Sequence, residues 1–168
     1  AGHMSGMTLD LLDRWDAEGR RFHYIHGAGR DFEDMEAALK AKGLSVTASE
    51  VRPYIDDMPT VMAAADLVLC RAGASTLGEL TALGRPAILV PSPFVAANHQ
   101  YKNAKVLADR GGVVLLEEKN CSGALLYDTV MELLADGARR AAMGRALKEA
   151  STPHAAEDIF RELEKLLK

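Results

Sequence analysis

Short apolar runs alternate along the chain with stretches whose apolar residues recur at helical spacing. Leu9, Leu11, Leu12 and Trp15 share one face of a first helix, which Gly19 can end. Phe22 to Ile25 reads as a strand, followed by the loop His26-Gly27-Ala28-Gly29-Arg30. Asp31 is placed to cap a helix that carries Phe32, Met35, Ala38 and Leu39 on one face and stops near Gly43. Ser45 to Ala48 is a short strand, and Pro53 then breaks the chain. Asp57 and Pro59 open a helix through Ala64. Leu67 to Cys70 is a strand, Thr76 to Leu83 a helix, and Gly84 its stop. Ala87 to Val90 is a strand, Gln100 to Arg110 a helix, and Val113 to Leu116 a strand. The pattern is then helical over about 122–135, 137–150 and 154–167.

Strand and helix alternating at this spacing predict βαβ units. The runs "DLVLC", "AILV" and "GVVLL" are continuously apolar, as strands covered on both faces should be. The fold class is therefore α/β, a Rossmann-like parallel sheet with helices on both faces. In such a sheet ligands bind beyond the carboxyl ends of the strands. The loops around 26–30, 53–58, 71–76 and 91–100 are where chemistry is expected.

Composition narrows this further. At 168 residues and 48% apolar content, the chain suits one domain with a real core. A net charge of −4 leaves no basic footprint for nucleic acid. No apolar run is long enough to cross a membrane. Ala1-Gly2-His3-Met4 reads as a cloning scar, which leaves residues 5–168 as the domain. Cys70 and Cys121 fit no metal spacing, and Cys70 reads as a small buried hydrophobe in a reduced, cytoplasmic setting. No Ser-His-Asp set, paired catalytic carboxylates or HExxH motif is present, so no catalytic residue, metal or cofactor is assigned. His23 and His26 are read as structural, and Arg139 and Arg140 as a solvated helix face.

Four loops carry candidate chemistry. In "CRAGASTLGE", Gly73 lets backbone approach a ligand or turn with positive φ. Ser75 or Thr76 opens a helix whose free N–H groups favour an anion. Glu79, about one turn on, suits a ribose diol. The competing reading is that Thr76-Leu77-Gly78-Glu79 is a capping box. In "VPSPFVAANHQYKNA", the amides and imidazole of Asn98, His99, Gln100 and Asn103 suit sugar hydroxyls or, equally, a polar helix cap. In "RPYIDDMP", Tyr54 and Met58 could flank a flat base while the Ile55 backbone reads its edge, or they could pack beneath a cap made by Asp57. "HGAGR" is a turn that lacks the dinucleotide fingerprint, because Phe32 stands where glycine is needed.

Together, "YIDDM", "ADLVLCRAGASTLGELTALGRPAILVPSP" and "NHQYKNAKVLADRGG" resemble the C-terminal half of the MurG family, bacterial transferases that add N-acetylglucosamine from UDP-GlcNAc to lipid I. The resemblance runs from about Phe22 to the end and is densest over 52–118. It implies one half of a GT-B glycosyltransferase, the half that binds UDP-GlcNAc. On this resemblance Ile55 reads uracil between Tyr54 and Met58, and Glu79 takes the ribose hydroxyls. Ala74, Ser75 and Thr76 lie along the diphosphate that Gly73 admits, His99, Gln100 and Asn103 hold the sugar, and Arg71 counts among the substrate-binding residues. The implied reaction is inverting, with the diphosphate leaving at a helix N-terminus without a metal. The implied partners are the family's N-terminal acceptor domain and, through it, lipid I at the inner face of the cell membrane. That domain and the opening strand with its glycine-rich loop have no counterpart in the sequence, so the chain is expected to be inactive alone. His99 stands where some relatives have Gln. Rival readings are the donor subunit of a split lipid-linked N-acetylglucosaminyltransferase and a non-catalytic nucleotide-binding module. A third is a UDP-GlcNAc 2-epimerase-like domain, from whose Ser-Gly-Gly signature "RAGASTLGE" departs.

Overall fold

The structure, a computed structural model, describes residues 2–44 and 50–166. The first helix, α1 (Gly2–Ala17), already includes the first residues of the chain, and Met4 packs against the core. Met7, Leu11, Leu12 and Trp15 are buried along it. Gly19, at φ +86°, reverses the chain, and the Arg20 N–H closes on Trp15 O at 2.8 Å.

Phe22 to Ile25 is not a strand. The Trp15 indole donates to Phe22 O at 2.8 Å, and its ring meets Phe22 and Tyr24 at 6.1 and 5.0 Å between centroids. The alternating aromatics are thus placed by packing on α1 rather than by a ladder. The strand comes just after, as β1 (His26–Gly27), inside the segment expected to be loop, and it pairs in parallel with β2 (Val51–Arg52). The expected strand at 45–48 lies outside the described residues. Between these strands runs α2 (Phe32–Ala41), with Met35 and Leu39 buried. Asp31 precedes α2 but makes no side-chain cap. Its carboxylate instead accepts from Ser5 Oγ at 2.6 Å, which ties α2 to α1.

The second half follows the expected order: α3 (Met58–Ala64), β3 (Val68–Cys70), α4 (Ala74–Leu83), β4 (Ala87–Leu89), α5 (His99–Asp109), β5 (Val113–Leu115), α6 (Gly123–Ala135), α7 (Gly137–Glu149) and α8 (Ala155–Leu166). Strands β3, β4 and β5 form a parallel sheet in that order, with Leu69 opposite Ile88 and Ile88 opposite Val114. The hydrogen-bonded ladder is therefore divided, two strands and three, rather than continuous among the described residues.

Alternation along the strands feeds two cores. Leu67, Leu69, Ile88, Val90, Val114 and Leu116 face α1, α2 and α6. Val68, Cys70, Ala87, Leu89, Val113 and Leu115 face the buried side chains of α3, α4, α5 and α7. This is why the runs read as continuously apolar: both faces are covered.

Arginines finish the helix C-termini. Arg85 donates to Ala65 O at 3.2 Å and to Ala63 O at the end of α3. Arg140 is not solvated as expected, because it donates to Leu133 O and Leu134 O at 2.6 Å at the end of α6. Gly84, at φ +65°, ends α4 as expected. Ile159, Phe160, Leu163 and Leu166 leave an apolar edge of α8 exposed.

Candidate functional site

The four loops singled out in the sequence all leave the carboxyl ends of strands. Two of them are stitched together by backbone: the Ala28 N–H reaches Arg52 O at 2.9 Å and the Gly29 N–H reaches Pro53 O at 3.0 Å. Ile55 is buried and presses on Gly27, where an added Cβ would meet its Cδ1 at 3.3 Å. Burying that side chain fixes the backbone of the loop. Tyr54, at 73% exposure, and Met58, at 38%, flank it in the open. Asp57 precedes α3 without a side-chain cap and pairs with Arg52 at 3.3 Å instead. The capping alternative for this loop therefore fails.

It fails again at α4. The helix starts at Ala74, not at Ser75 or Thr76, and its N-cap is Gly73 with no side-chain cap. Thr76 and Glu79 lie inside the helix, so the T-x-x-E pattern forms no capping box. The first intrahelical bond is the Leu77 N–H to Gly73 O at 3.0 Å. The N–H groups of Ala74, Ser75 and Thr76 are therefore free to meet an anion.

Gly73 has φ −69°, so it is not there to make a left-handed turn. An added Cβ would meet nothing closer than Thr76 Oγ1 at 3.9 Å. The protein itself has room for alanine at this position. Gly73→Ala is expected to cost at most about 1 kcal/mol of stability, as an N-cap change. It should weaken the binding of a diphosphate at this helix end about tenfold by standing between ligand and backbone. Thermal melts beside calorimetric titration check both halves.

Glu79 is exposed on α4 and has no hydrogen-bond or ion-pair partner among the described residues. Its charge is nevertheless felt at the end of β3. Burial, and after it the Glu79 carboxylate, pushes the Cys70 thiol up to about 12. The acid thus stands beside the strand end, unsatisfied and accessible.

The fourth loop is internally braced. Ala97 and Asn98 both take left-handed conformations, at φ +51° and +52°, before α5 begins at His99, one residue ahead of expectation. Asn98 makes no side-chain cap. Gln100 Oε1 accepts from the Ser92 N–H at 3.0 Å, and His99 Nδ1 faces Ala96 O at 3.0 Å. The Gln100 amide therefore turns its NH2 away from Ser92. His99 and Gln100 open α5 and Asn103 follows one turn on, with His99 and Asn103 exposed. Ala97 has no side chain to compensate its backbone, so Ala97→Gly is expected to stabilise the chain by roughly 0.5 kcal/mol in urea unfolding.

Arg71 sits between β3 and α4. Its Nη1 donates to Val90 O at 3.1 Å and forms an ion pair with Glu118, a residue the sequence did not single out. One of two adjacent acids after an apolar strand, Glu117 and Glu118, carries no signal of its partner. His26 is held neutral by burial, which lowers its pKa.

The predicted residues thus line an open face rather than a closed pocket. A cavity of about 280 Å³ adjoins it past β5, between Tyr101 and Leu125. A larger one, about 530 Å³, lies at the other end of the sheet, by Gly84 and Lys148, away from every predicted site residue. No cluster among the described residues could hold a metal ion, and no described helix is long and apolar enough to cross a membrane.

Residues 9–159 match the glycosyltransferase family 28 C-terminal domain. The chain belongs to this family. Its curated relatives include proteins named UDP-N-acetylglucosamine–N-acetylmuramyl-(pentapeptide) pyrophosphoryl-undecaprenol N-acetylglucosamine transferase. That of Acetivibrio thermocellus is 46% identical over 170 residues, covering 100% of this chain and 45% of its own length. That of Anaeromyxobacter sp. (strain K) is 44% identical over 140 residues, covering 83% and 36%. The crystal structure of Acinetobacter baumannii MurG shares the fold with a TM-score of 0.81 at 24% identity, over 98% of this chain and 46% of that one. This family 28 domain therefore spans less than half the length of these relatives. Its α/β architecture, read from apolar runs alone, stands.

Proposed function

We propose that this chain is the donor-binding half of an inverting glycosyltransferase that moves N-acetylglucosamine from UDP-GlcNAc to lipid I, giving lipid II. The observation that carries the reading is the uncapped N-terminus of α4 beside an acid with no protein partner. A helix end with free N–H groups suits a diphosphate, and a free carboxylate suits a diol. The names of the relatives point to the same sugar nucleotide.

In this reading the Ile55 backbone takes the uracil edge, with Tyr54 and Met58 beside the ring. Glu79 accepts from the ribose hydroxyls. Gly73, Ala74, Ser75 and Thr76 meet the diphosphate, with Arg71 alongside, and His99, Gln100 and Asn103 hold the sugar. As the acceptor hydroxyl attacks the anomeric carbon, charge grows on the leaving UDP, and the helix N-terminus stabilises it there. The acceptor, its general base and the contact with the membrane are assigned in this reading to the N-terminal half of the enzyme, outside the matched domain. The enzyme would work at the inner face of the membrane through that half.

Calorimetric titration with UDP-GlcNAc, UDP-glucose and UDP tests the reading. All three should bind, with UDP-GlcNAc preferred, and the chain alone should transfer no sugar. Absence of binding by all three overturns it.

A further inference from the structure

Arg71 follows β3, Val90 follows β4 and Glu118 follows β5, so the three residues lie along one carboxyl edge of the sheet. Arg71 Nη1 spans that edge, bonded to Val90 O at 3.1 Å and paired with Glu118 Oε2. Glu118 Oε1 faces His3 Nδ1 at 3.0 Å. The Glu118 side chain is 6% exposed and that of Arg71 is 27% exposed. A buried ion pair adds little net stability over apolar packing, so its worth here is positional. The rest of the guanidinium, Nε and Nη2, has no hydrogen-bond partner among the described residues and is not sealed from solvent. In the chain, Arg71 stands two residues before Gly73, where the N–H groups of α4 open.

We propose that Glu118 is a positioning residue for donor binding: it pins one nitrogen of Arg71 across the strand ends, so that the free edge of the guanidinium meets the diphosphate at the start of α4. The proposal rests on the donor-site reading above. A planar fork held at one corner keeps its direction, which a mobile arginine does not.

The test is a double-mutant cycle of Arg71→Ala and Glu118→Gln, read by titration with UDP and with uridine beside thermal melts. Glu118→Gln should weaken UDP about fivefold and uridine less than about twofold. The double variant should bind UDP no more weakly than Arg71→Ala alone. Arg71→Lys, which keeps the charge but loses the fork, should lose UDP affinity as Glu118→Gln does. Equal weakening of UDP and uridine, or a lower melting temperature with UDP affinity unchanged, makes the pair a strut and overturns the proposal. Should Glu118→Gln fail to fold, Arg71→Lys decides, since unchanged UDP affinity in that variant also overturns it. A wild-type chain that binds UDP while these variants match it sinks only this inference. A wild-type chain that does not bind UDP sinks the donor-site reading as well.

Discussion

Glu79→Ala is expected to lose roughly 10- to 100-fold in affinity for UDP, the effect of removing a charged hydrogen-bond acceptor. The chain should melt at an unchanged temperature. The reasoning is that Glu79 is exposed and has no hydrogen-bond or ion-pair partner among the described residues. Its removal therefore takes away no hydrogen bond or ion pair that the folded state makes and the unfolded state lacks. The nucleotide supplies a control. Against 2′-deoxy-UDP, which presents one hydroxyl fewer, the variant and the wild type should differ much less. If Glu79→Ala binds UDP as the wild type does, the ribose assignment is wrong and the carboxylate is a solvated surface charge.

Gly123→Ala is expected to destabilise the fold by about 3 kcal/mol or more, read by urea unfolding. Gly123 opens α6 where it crosses α1. A Cβ there would stand 2.3 Å from Asp10 Cβ, 2.8 Å from Met7 O and 2.9 Å from Leu11 N. Two of these three atoms are backbone, so no rotamer change relieves the clash, and α1 itself must move. That helix buries Met7, Leu11, Leu12 and Trp15, so moving it opens a core shared with α6. The binding loops are on other elements, so the variant should still bind UDP under conditions where it remains folded. A loss below about 0.5 kcal/mol would mean the helices do not meet at this glycine.

The contrast between these two positions shows how legible the molecule was. Glu79 could be singled out as a candidate from the sequence because an acid one turn into a helix, after glycine and hydroxyls, is a local pattern. Its capping alternative was also local, and only the start of α4 at Ala74 removed it. The two patterns differ by two residues of helix start, a distance that propensity does not resolve. Asp31 and Asp57 failed as caps for a related reason: Ser5 and Arg52 reach them first. Phe22 to Ile25 looked like a strand because period-2 aromatics serve equally well against a helix.

What the sequence determined by itself was the order of strands and helices, the two-sided burial of "DLVLC", "AILV" and "GVVLL", and the loops that leave the carboxyl ends of the strands. Those follow from periodicity and from glycine and proline, which act within a few residues. Only the tertiary structure decided the close crossing at Gly123, the bracing of Gln100 by Ser92 and the pairing of Arg71 with Glu118, 47 positions apart. A buried carboxylate needs a partner, but which cation it finds is set by where the chain returns in space.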